Sequence, residues 1–228
     1  MKHFFISVEC YILEALIKDI QMRLALLIAA IVFIAFTSTA QQICFEEFRE
    51  KIADPNWKQL RATEDEQVRD SLQRKRWRFF DMLIGCQMPY FAGQLMNQEK
   101  ITSDDLKGKI VVMNFWYIGC KPCVAEMPAL NRLVEAYKDK DVVFLSFAAS
   151  GRGDIENFLQ KREMDFLIIP GANELAKPFM PTGGYPTNLV FDQSGSLVFG
   201  GEGGYVDERA KTAIYDELSP IIDDLLAD

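Results

Sequence analysis

Two cysteines separated by two residues are the groups in this chain best suited to chemistry. Cys120 and Cys123 lie in the stretch WYIGCKPC, which begins at Trp116, follows the apolar run 110–115 and precedes a helix-like pattern. The first N–H groups of a helix lack partners and its dipole favours negative charge, so a thiolate at that position is stabilised and reactive. The spacing predicts a dithiol that opens and closes, with Cys120 as the attacking sulfur and Cys123 as the resolving one.

The residues around the two cysteines have both functional and structural interpretations. Pro122 falls in the first turn of the predicted helix, where its fixed φ suits the helix and its missing N–H costs little. Lys121 either favours the thiolate electrostatically or is simply exposed. Trp116 either forms a wall of the site or is an ordinary aromatic residue at a strand end.

Metal binding is the main alternative for a pair of cysteines at this spacing. A structural zinc site usually has four ligands, commonly from two such pairs. This chain has one pair, and its single histidine, His3, lies in a segment that we expect to be removed. We therefore expect no metal and no cofactor, and histidine-dependent catalysis is excluded for the mature chain.

The N-terminal 40 residues resemble a targeting segment. Residues 24–36 are an uncharged apolar run of 13 residues, preceded by Met22-Arg23 and followed by small residues that end at Ala40. This pattern predicts a signal peptide cleaved after Ala40. The run is shorter than the roughly 20 residues that span a bilayer, and an uncleaved membrane anchor is the alternative. Met22 is an alternative start, in which case residues 1–21 are not translated.

Export would change how the remaining cysteines are interpreted. Of five cysteines, Cys10 falls in the predicted leader, which leaves an even number in an oxidising compartment. With Cys120 and Cys123 assigned to the redox pair, Cys44 and Cys86 are a candidate structural disulfide. Such a bridge would stabilise the fold by ~4 kcal/mol through loop closure. The alternative is two buried, unpaired thiols.

Composition and pattern indicate the fold class. The net charge of −8 argues against a nucleic-acid partner, and 49% hydrophobic residues suffice for a core. Residues 41–83 are predicted to be a helical extension, with Phe45, Phe48 and Ile52 on one face and a longer second helix after it. Residues 84–228 alternate strands and helices, which predicts one α/β domain. We expect strands at 110–116, 142–149, 166–169, 187–192 and 196–199, and helices at 121–138, 154–162 and 206–226.

Two motifs in the second part of the chain resemble a known family. GKIVVMNFW, which begins at Gly108, continues through the CKPC motif to Glu126 and Pro128, and GYPTNLVFDQSG begins at Gly184. Together they resemble exported TlpA/ResA-like thiol–disulfide oxidoreductases of the thioredoxin-like superfamily, to which redoxin and AhpC/TSA-like proteins belong. The resemblance covers roughly residues 85–226. It implies a thioredoxin-like sandwich, in which a central mixed sheet is flanked by helices.

The resemblance also implies roles for individual residues. Tyr185 and Pro186 would form the cis-proline loop that faces the sulfurs, with Thr187 beside it. Glu126 would be an active-site acid that carries the proton of the resolving thiol, and the alternative is a solvated helix carboxylate. Asn114 stands where cytoplasmic thioredoxins have an acid and cannot shuttle a proton, which moves that role towards Glu126 or solvent.

The function implied by the resemblance is reduction of disulfides in exported proteins of the periplasm or cell envelope. Apocytochrome c is among the implied substrates, which connects the chain to cytochrome c biogenesis and cell redox homeostasis. A membrane electron donor of the thiol-reducing type would keep the pair reduced, and the oxidase and isomerase directions stay open. Two rivals are a peroxiredoxin-like thiol peroxidase and a non-catalytic envelope interaction protein. The peroxidase requires Thr or Ser three residues before its cysteine, where this chain has Tyr117.

Overall fold

The computed structural model describes residues 22–24, 44–45, 47–53, 55, 58–59, 62–65, 67–68 and 79–227. The chain separates into two units, 1–41 and 42–228. In the first unit residues 22–24 are helical and exposed, and the rest of the predicted leader, including its cleavage site, lies outside the described residues. Among the described residues, no helix combines the length and apolar character needed to cross a membrane.

The second unit is built on a mixed five-stranded sheet. A short antiparallel hairpin of β1 (Ala92–Gln94) and β2 (Lys100–Thr102) precedes it. The strands of the main sheet are β3 (Ile110–Trp116), β4 (Val142–Ala148), β5 (Leu167–Ile169), β6 (Thr187–Phe191) and β7 (Leu197–Glu202), in the order β5-β4-β3-β6-β7. β3 pairs parallel to β4 and antiparallel to β6. The predicted mixed central sheet is confirmed, with β3 at its centre.

Four α-helices and several short helices complete the described fold. The α-helices are α1 (Lys121–Tyr137), α2 (Arg152–Leu159), α3 (Asn173–Ala176) and α4 (Ala213–Ala227). Short 3₁₀ helices cover Phe80–Leu83, Ser103–Leu106, Lys177–Phe179 and Glu208–Lys211, and a π-helical turn covers Arg49–Ala53. In α1, Leu130, Leu133 and Tyr137 recur at helical spacing and are buried, which fixes the face that packs on the sheet.

Alternation along β3 divides the core into two clusters. Val111, Met113 and Phe115 belong to one cluster, whereas Ile110, Val112 and Trp116 belong to the other, which also contains the buried residues of α1. Successive side chains of a strand point to opposite faces, and all seven residues of β3 are buried. Asn114 shares the parity of Val112 and Trp116. It therefore lies on the face that α1 covers.

The described part of the extension packs on the opposite face of the sheet. Phe45 and Phe48 are buried in the cluster that contains Phe115, and the ring of Phe48 meets that of Phe79 edge-on at 5.3 Å. The structure joins Cys44 and Cys86 by a disulfide, with their Cα atoms 6.0 Å apart. Residues 44–45 and 47–53 are helical. Most of the predicted second helix lies outside the described residues, and a 3₁₀ turn ends this region at Leu83.

Two predicted helix starts were wrong. The helix expected at 154–162 begins at Arg152, because Gly151 has the extended backbone of an N-cap and Asp154 falls in the first turn. The helix expected at 206–226 begins only at Ala213. Before it, Asp207 accepts a hydrogen bond from the backbone N–H of Arg209 and caps a separate 3₁₀ helix at Glu208–Lys211. α3 had not been predicted.

Candidate active site

The Cys120–Cys123 disulfide occupies the N-terminus of α1. Cys120 is the N-cap, with extended backbone at φ −80° and ψ 100°, and its Sγ accepts a hydrogen bond from the backbone N–H of Cys123 at 3.3 Å. Pro122 lies in the first turn. Cys120 is 4% exposed and Cys123 is 1% exposed. In the disulfide-bonded form both cysteines are therefore buried, Cys120 slightly less so than Cys123.

The residues that flank the disulfide differ sharply in burial. Trp116 is fully buried, donates from Nε1 to Ser146 Oγ at 3.3 Å and packs its ring 5.6 Å from that of Phe158. It belongs to the same buried cluster as both cysteines. Lys121 is exposed and forms no ion pair within the part of the chain that the structure describes. Trp116 therefore belongs to the buried core beneath the two cysteines. Lys121 is an exposed positive charge that forms no ion pair with the described residues.

The loop before β6 approaches the redox loop through two tyrosines. The Tyr185–Pro186 peptide bond is cis, and Pro186 is buried. The ring of Tyr185 meets that of Tyr117 edge-on, with centroids 5.1 Å apart. The backbone carbonyl of Pro186 accepts a hydrogen bond from Gly203 N at 2.8 Å, and Thr187 Oγ1 donates to the carbonyl of Gly184 at 2.9 Å. These contacts fix the proline loop beside the disulfide.

Glu126 is a buried carboxyl group one turn beyond Cys123 on α1. It is only 4% exposed, and its Oε1 accepts hydrogen bonds from Asn114 Nδ2 at 3.0 Å and from Asn188 Nδ2 at 3.3 Å. Burial raises the pKa of Glu126 to about 8, the two amide hydrogen bonds oppose this shift, and the charge of Glu217 adds to it. The solvated-carboxylate alternative is therefore wrong. A group with this pKa can gain or lose a proton near neutral pH.

Gly204 lies where the predicted site residues meet, and it had not been predicted. A Cβ placed on Gly204 would be 3.2 Å from Glu126 Oε2, 3.3 Å from Pro186 Cγ and 3.4 Å from Pro122 Cβ. The redox loop, the acid and the cis-proline loop therefore converge on this position. Asn188 was also missed. The sequence signal that could have found Asn188 is a polar side chain in a strand that is otherwise largely apolar and is buried throughout.

The described cysteines are all paired. Cys44 is bonded to Cys86 and Cys120 to Cys123. The described residues contain no group of three His, Cys, Asp or Glu residues arranged to hold a metal ion.

Comparison with known proteins agrees with this geometry. The family model described as the AhpC/TSA family matches residues 84–199. The chain is 33% identical over 118 residues to the thiol-disulfide oxidoreductase ResA of Bacillus anthracis, which covers 51% of this chain and 68% of that protein. It is 32% identical over 116 residues to the thioredoxin-like protein YneN of Bacillus subtilis (strain 168), covering 50% and 68%.

A solved structure has the same fold. The crystal structure of a putative thiol:disulfide interchange protein DsbE from Chlorobium tepidum aligns with a TM-score of 0.55 at 22% identity. The alignment covers 63% of this chain and 97% of that one. At this identity the likeness concerns the fold alone.

Fold and site together define a thioredoxin-like redox protein, with a disulfide at a helix N-terminus and a cis-proline beside it. The chain belongs to the AhpC/TSA family, and within the thioredoxin superfamily it is a TlpA/ResA-like thiol–disulfide oxidoreductase.

Proposed function

We propose that this protein reduces disulfides of exported proteins in the cell envelope through a mixed disulfide at Cys120. The observation that carries the proposal is the convergence of the first turn of α1, Glu126 and the cis Tyr185–Pro186 loop on Gly204, next to the Cys120–Cys123 disulfide. Reduction needs an attacking sulfur, a second sulfur within reach, and a group that handles a proton. Cys120, Cys123 and Glu126 are the candidates for these three roles.

The exchange proceeds in two steps. The Cys120 thiolate attacks one sulfur of the partner disulfide, a mixed disulfide forms, and the other partner sulfur leaves as a thiolate. The Cys123 thiolate then attacks Cys120 Sγ, which breaks the mixed disulfide and releases the second partner thiolate. The partner gains two electrons and the pair loses two. The disulfide-bonded structure corresponds to the end of this cycle.

Glu126 serves the second step. Cys123 must lose its proton before it can attack, and Glu126 lies three residues further along the same helix, where side chains are neighbours. A carboxyl group with a pKa of about 8 is partly ionised near neutral pH and increasingly so above it, and its ionised form can accept that proton. Lys121 is exposed in the first turn of α1, where its positive charge favours the thiolate of Cys120.

The cis-proline loop is the proposed docking edge for the partner chain. The carbonyl of Pro186 accepts a hydrogen bond from Gly203 N, which holds the loop in place. Pro186 has no N–H to donate, so an extended partner segment would dock here without a hydrogen bond from this residue and would be released easily. Tyr185, with Tyr117 against it, offers a half-buried aromatic surface next to the disulfide. Thr187 holds the loop through its bond to the carbonyl of Gly184.

The compartment, the direction of exchange and the partners come from the sequence and the relatives. The apolar run at 24–36, the Cys44–Cys86 disulfide and the likeness to a ResA protein support an exported, reducing role. Cytochrome c biogenesis is the proposed pathway, with apocytochrome c among the substrates and a membrane electron donor restoring the dithiol.

Trapping tests this proposal directly. The Cys123→Ser protein should accumulate mixed disulfides with exported proteins, because the second step is blocked after the first has occurred. Cys120→Ser is the matched control and should trap little. Equal trapping by the two variants would contradict the assigned roles. Peroxide consumption at a rate comparable to disulfide reduction would instead support the thiol peroxidase.

A further inference from the structure

The two carboxylate oxygens of Glu126 have different surroundings. Oε1 accepts both amide hydrogen bonds, from Asn114 at 3.0 Å and from Asn188 at 3.3 Å. Oε2 faces the loop after β7, since it would lie 3.2 Å from a Cβ on Gly204. Hydrogen bonds thus hold the carboxyl group at Oε1, and Oε2 is the oxygen that lies beside Gly204.

The two amides are themselves fixed in place. Asn114 and Asn188 are directly paired residues of β3 and β6, and neither is more than 2% exposed. Asn114 Nδ2 also donates to Asn188 Oδ1 at 2.8 Å, which uses both of its N–H groups. An amide donates a hydrogen bond without taking up a proton. The pair can therefore hold Glu126 in one orientation while leaving protonation to the carboxyl group alone.

Gly204 lies close to Oε2. It is exposed, and its φ lies outside the left-handed range that would require glycine. A side chain here would meet Glu126, Pro186 and Pro122 at 3.2–3.4 Å, closer than most Cβ contacts. Glycine at this position is therefore explained by space rather than by backbone conformation, and a larger residue would press on Oε2.

We propose that Asn114 and Asn188 are positioning residues that anchor Oε1 of Glu126 and leave Oε2, beside Gly204, as the oxygen that carries the proton. The proposal rests on the proposed role of Glu126 as proton carrier for Cys123. The Cys123 thiol proton passes to Oε2 and leaves a thiolate, and Oε2 later gives the proton to solvent. No electrons move in either transfer.

Charges around the carboxyl group agree with this arrangement. Burial raises the pKa of Glu126 and the amide hydrogen bonds lower it, because they favour the ionised form. Glu217 on α4 is the charged group that acts on it, and it raises the pKa further. β3 and β6 contribute neutral amides, and the loop contributes a glycine. Loss of either amide should therefore move the pKa of Glu126 upwards.

Carbon-13 NMR titration of the Glu126 carboxyl group in the oxidised protein tests the anchoring. Asn188→Ala and, independently, Asn114→Ala should each shift the midpoint upwards by about one pH unit, because a donor to the charged form is lost. Ser146→Ala is the matched control, since it removes a buried hydrogen bond from β4 that does not reach Glu126. Midpoints equal to that of the unaltered protein in both asparagine variants would overturn the anchoring.

The position of Oε2 is tested by the rate at which Cys123 resolves a mixed disulfide between Cys120 and glutathione, a probe that needs no protein docking. Gly204→Ala should slow resolution by about tenfold near neutral pH, because the added Cβ displaces Oε2. Gly153→Ala, at a position where an added Cβ meets nothing within 4 Å, should leave the rate unchanged. Resolution of Gly204→Ala at the unaltered rate and pH profile would overturn the role given to Oε2.

Glu126→Gln separates this proposal from the function on which it rests. If Glu126→Gln resolves the glutathione adduct as fast as the unaltered protein, the proton-carrying role itself fails. If Glu126→Gln is slow while the Asn188, Asn114 and Gly204 variants keep the unaltered profile, that role stands and the positioning proposal fails.

Discussion

The two disulfides of this protein lie on opposite faces of one sheet and differ in their neighbours and in the length of chain that they close. Cys120–Cys123 spans three positions at the start of α1, beside a buried acid and a cis-proline. Cys44–Cys86 spans 42 positions and packs with an aromatic cluster that includes Phe45 and Phe48. A short bridge at a helix N-terminus favours the thiolate when it opens, whereas a bridge that closes a long loop restricts the unfolded chain. We therefore propose exchange for the first pair and stabilisation for the second.

The largest expected effect separates the pairs by activity. Cys120→Ser should reduce protein-disulfide reduction to background, because no attacking thiolate remains. The double variant Cys44→Ser/Cys86→Ser should retain most of the activity at a temperature where it stays folded. An insulin-reduction assay measures the activity of both variants. An equal loss of activity in the double variant would contradict the assignment of exchange to Cys120 and Cys123 alone.

Removing each pair should have the reverse order of effects on stability. Loss of the Cys44–Cys86 bridge should lower the free energy of unfolding by about 4 kcal/mol, against about 2 kcal/mol for loss of the short bridge, because the longer closed loop removes more entropy from the unfolded chain. Urea denaturation of Cys44→Ser/Cys86→Ser and Cys120→Ser/Cys123→Ser measures the difference. An equal loss would mean that the long bridge does not constrain the extension.

On the face with the active site, the buried carboxyl group of Glu126 makes stability depend on pH. Because burial raises the pKa of Glu126 from 4.5 to about 8, the folded state holds a proton that the unfolded state has released between these values. Stability is therefore lost as pH rises through this window, by about 1.4 kcal/mol per unit.

Glu126→Gln should remove that loss and stabilise the oxidised protein by about 3 kcal/mol at pH 7 relative to the unaltered chain. The exposed Glu156→Gln is the control and should leave the pH dependence as it is. Urea denaturation between pH 5 and 8 measures both variants. Parallel curves for Glu126→Gln and the unaltered protein would show that the carboxyl group is not buried as described.

The smallest expected effect concerns substrate docking. Tyr185→Leu keeps an apolar side chain but loses the edge-on contact with Tyr117, and should raise KM for a protein substrate by roughly fivefold, equivalent to about 1 kcal/mol. Reduction by dithiothreitol should not change. Tyr90→Leu is the control, because Tyr90 is an exposed tyrosine two residues before β1. A matching effect at Tyr90 would argue against a specific docking edge.

Much of the fold could be predicted because local patterns and burial agree. β3 has the predicted bounds, since a strand buried on both faces is an apolar run that ends where the CxxC loop begins. α1 ends within one residue of its predicted end. The start of α4 was mispredicted because the Asp207 cap divides a continuous helical pattern into two elements. Such a cap competes with helix propensity and leaves the apolar periodicity unchanged.

The parts of the site that could not be predicted depend on strand register. Asn114 and Asn188 are 74 positions apart and meet only because β3 and β6 pair antiparallel in one register. Gly204 reaches the disulfide loop only because β7 folds back on β6. The cysteines, by contrast, act through neighbours in sequence, which is why their spacing alone indicated their chemistry.

The redox potential of each pair, measured in defined dithiothreitol and glutathione buffers with mass spectrometry of the alkylated cysteines, tests the central claim most directly. A reductase acting through Cys120 and Cys123 should titrate near the thioredoxin value of about −270 mV, while Cys44 and Cys86 stay bonded to below roughly −300 mV. A Cys120–Cys123 potential close to about −120 mV, the value of a strong oxidant, would reverse the proposed direction. Earlier reduction of Cys44–Cys86 would contradict the division of roles between the two disulfides.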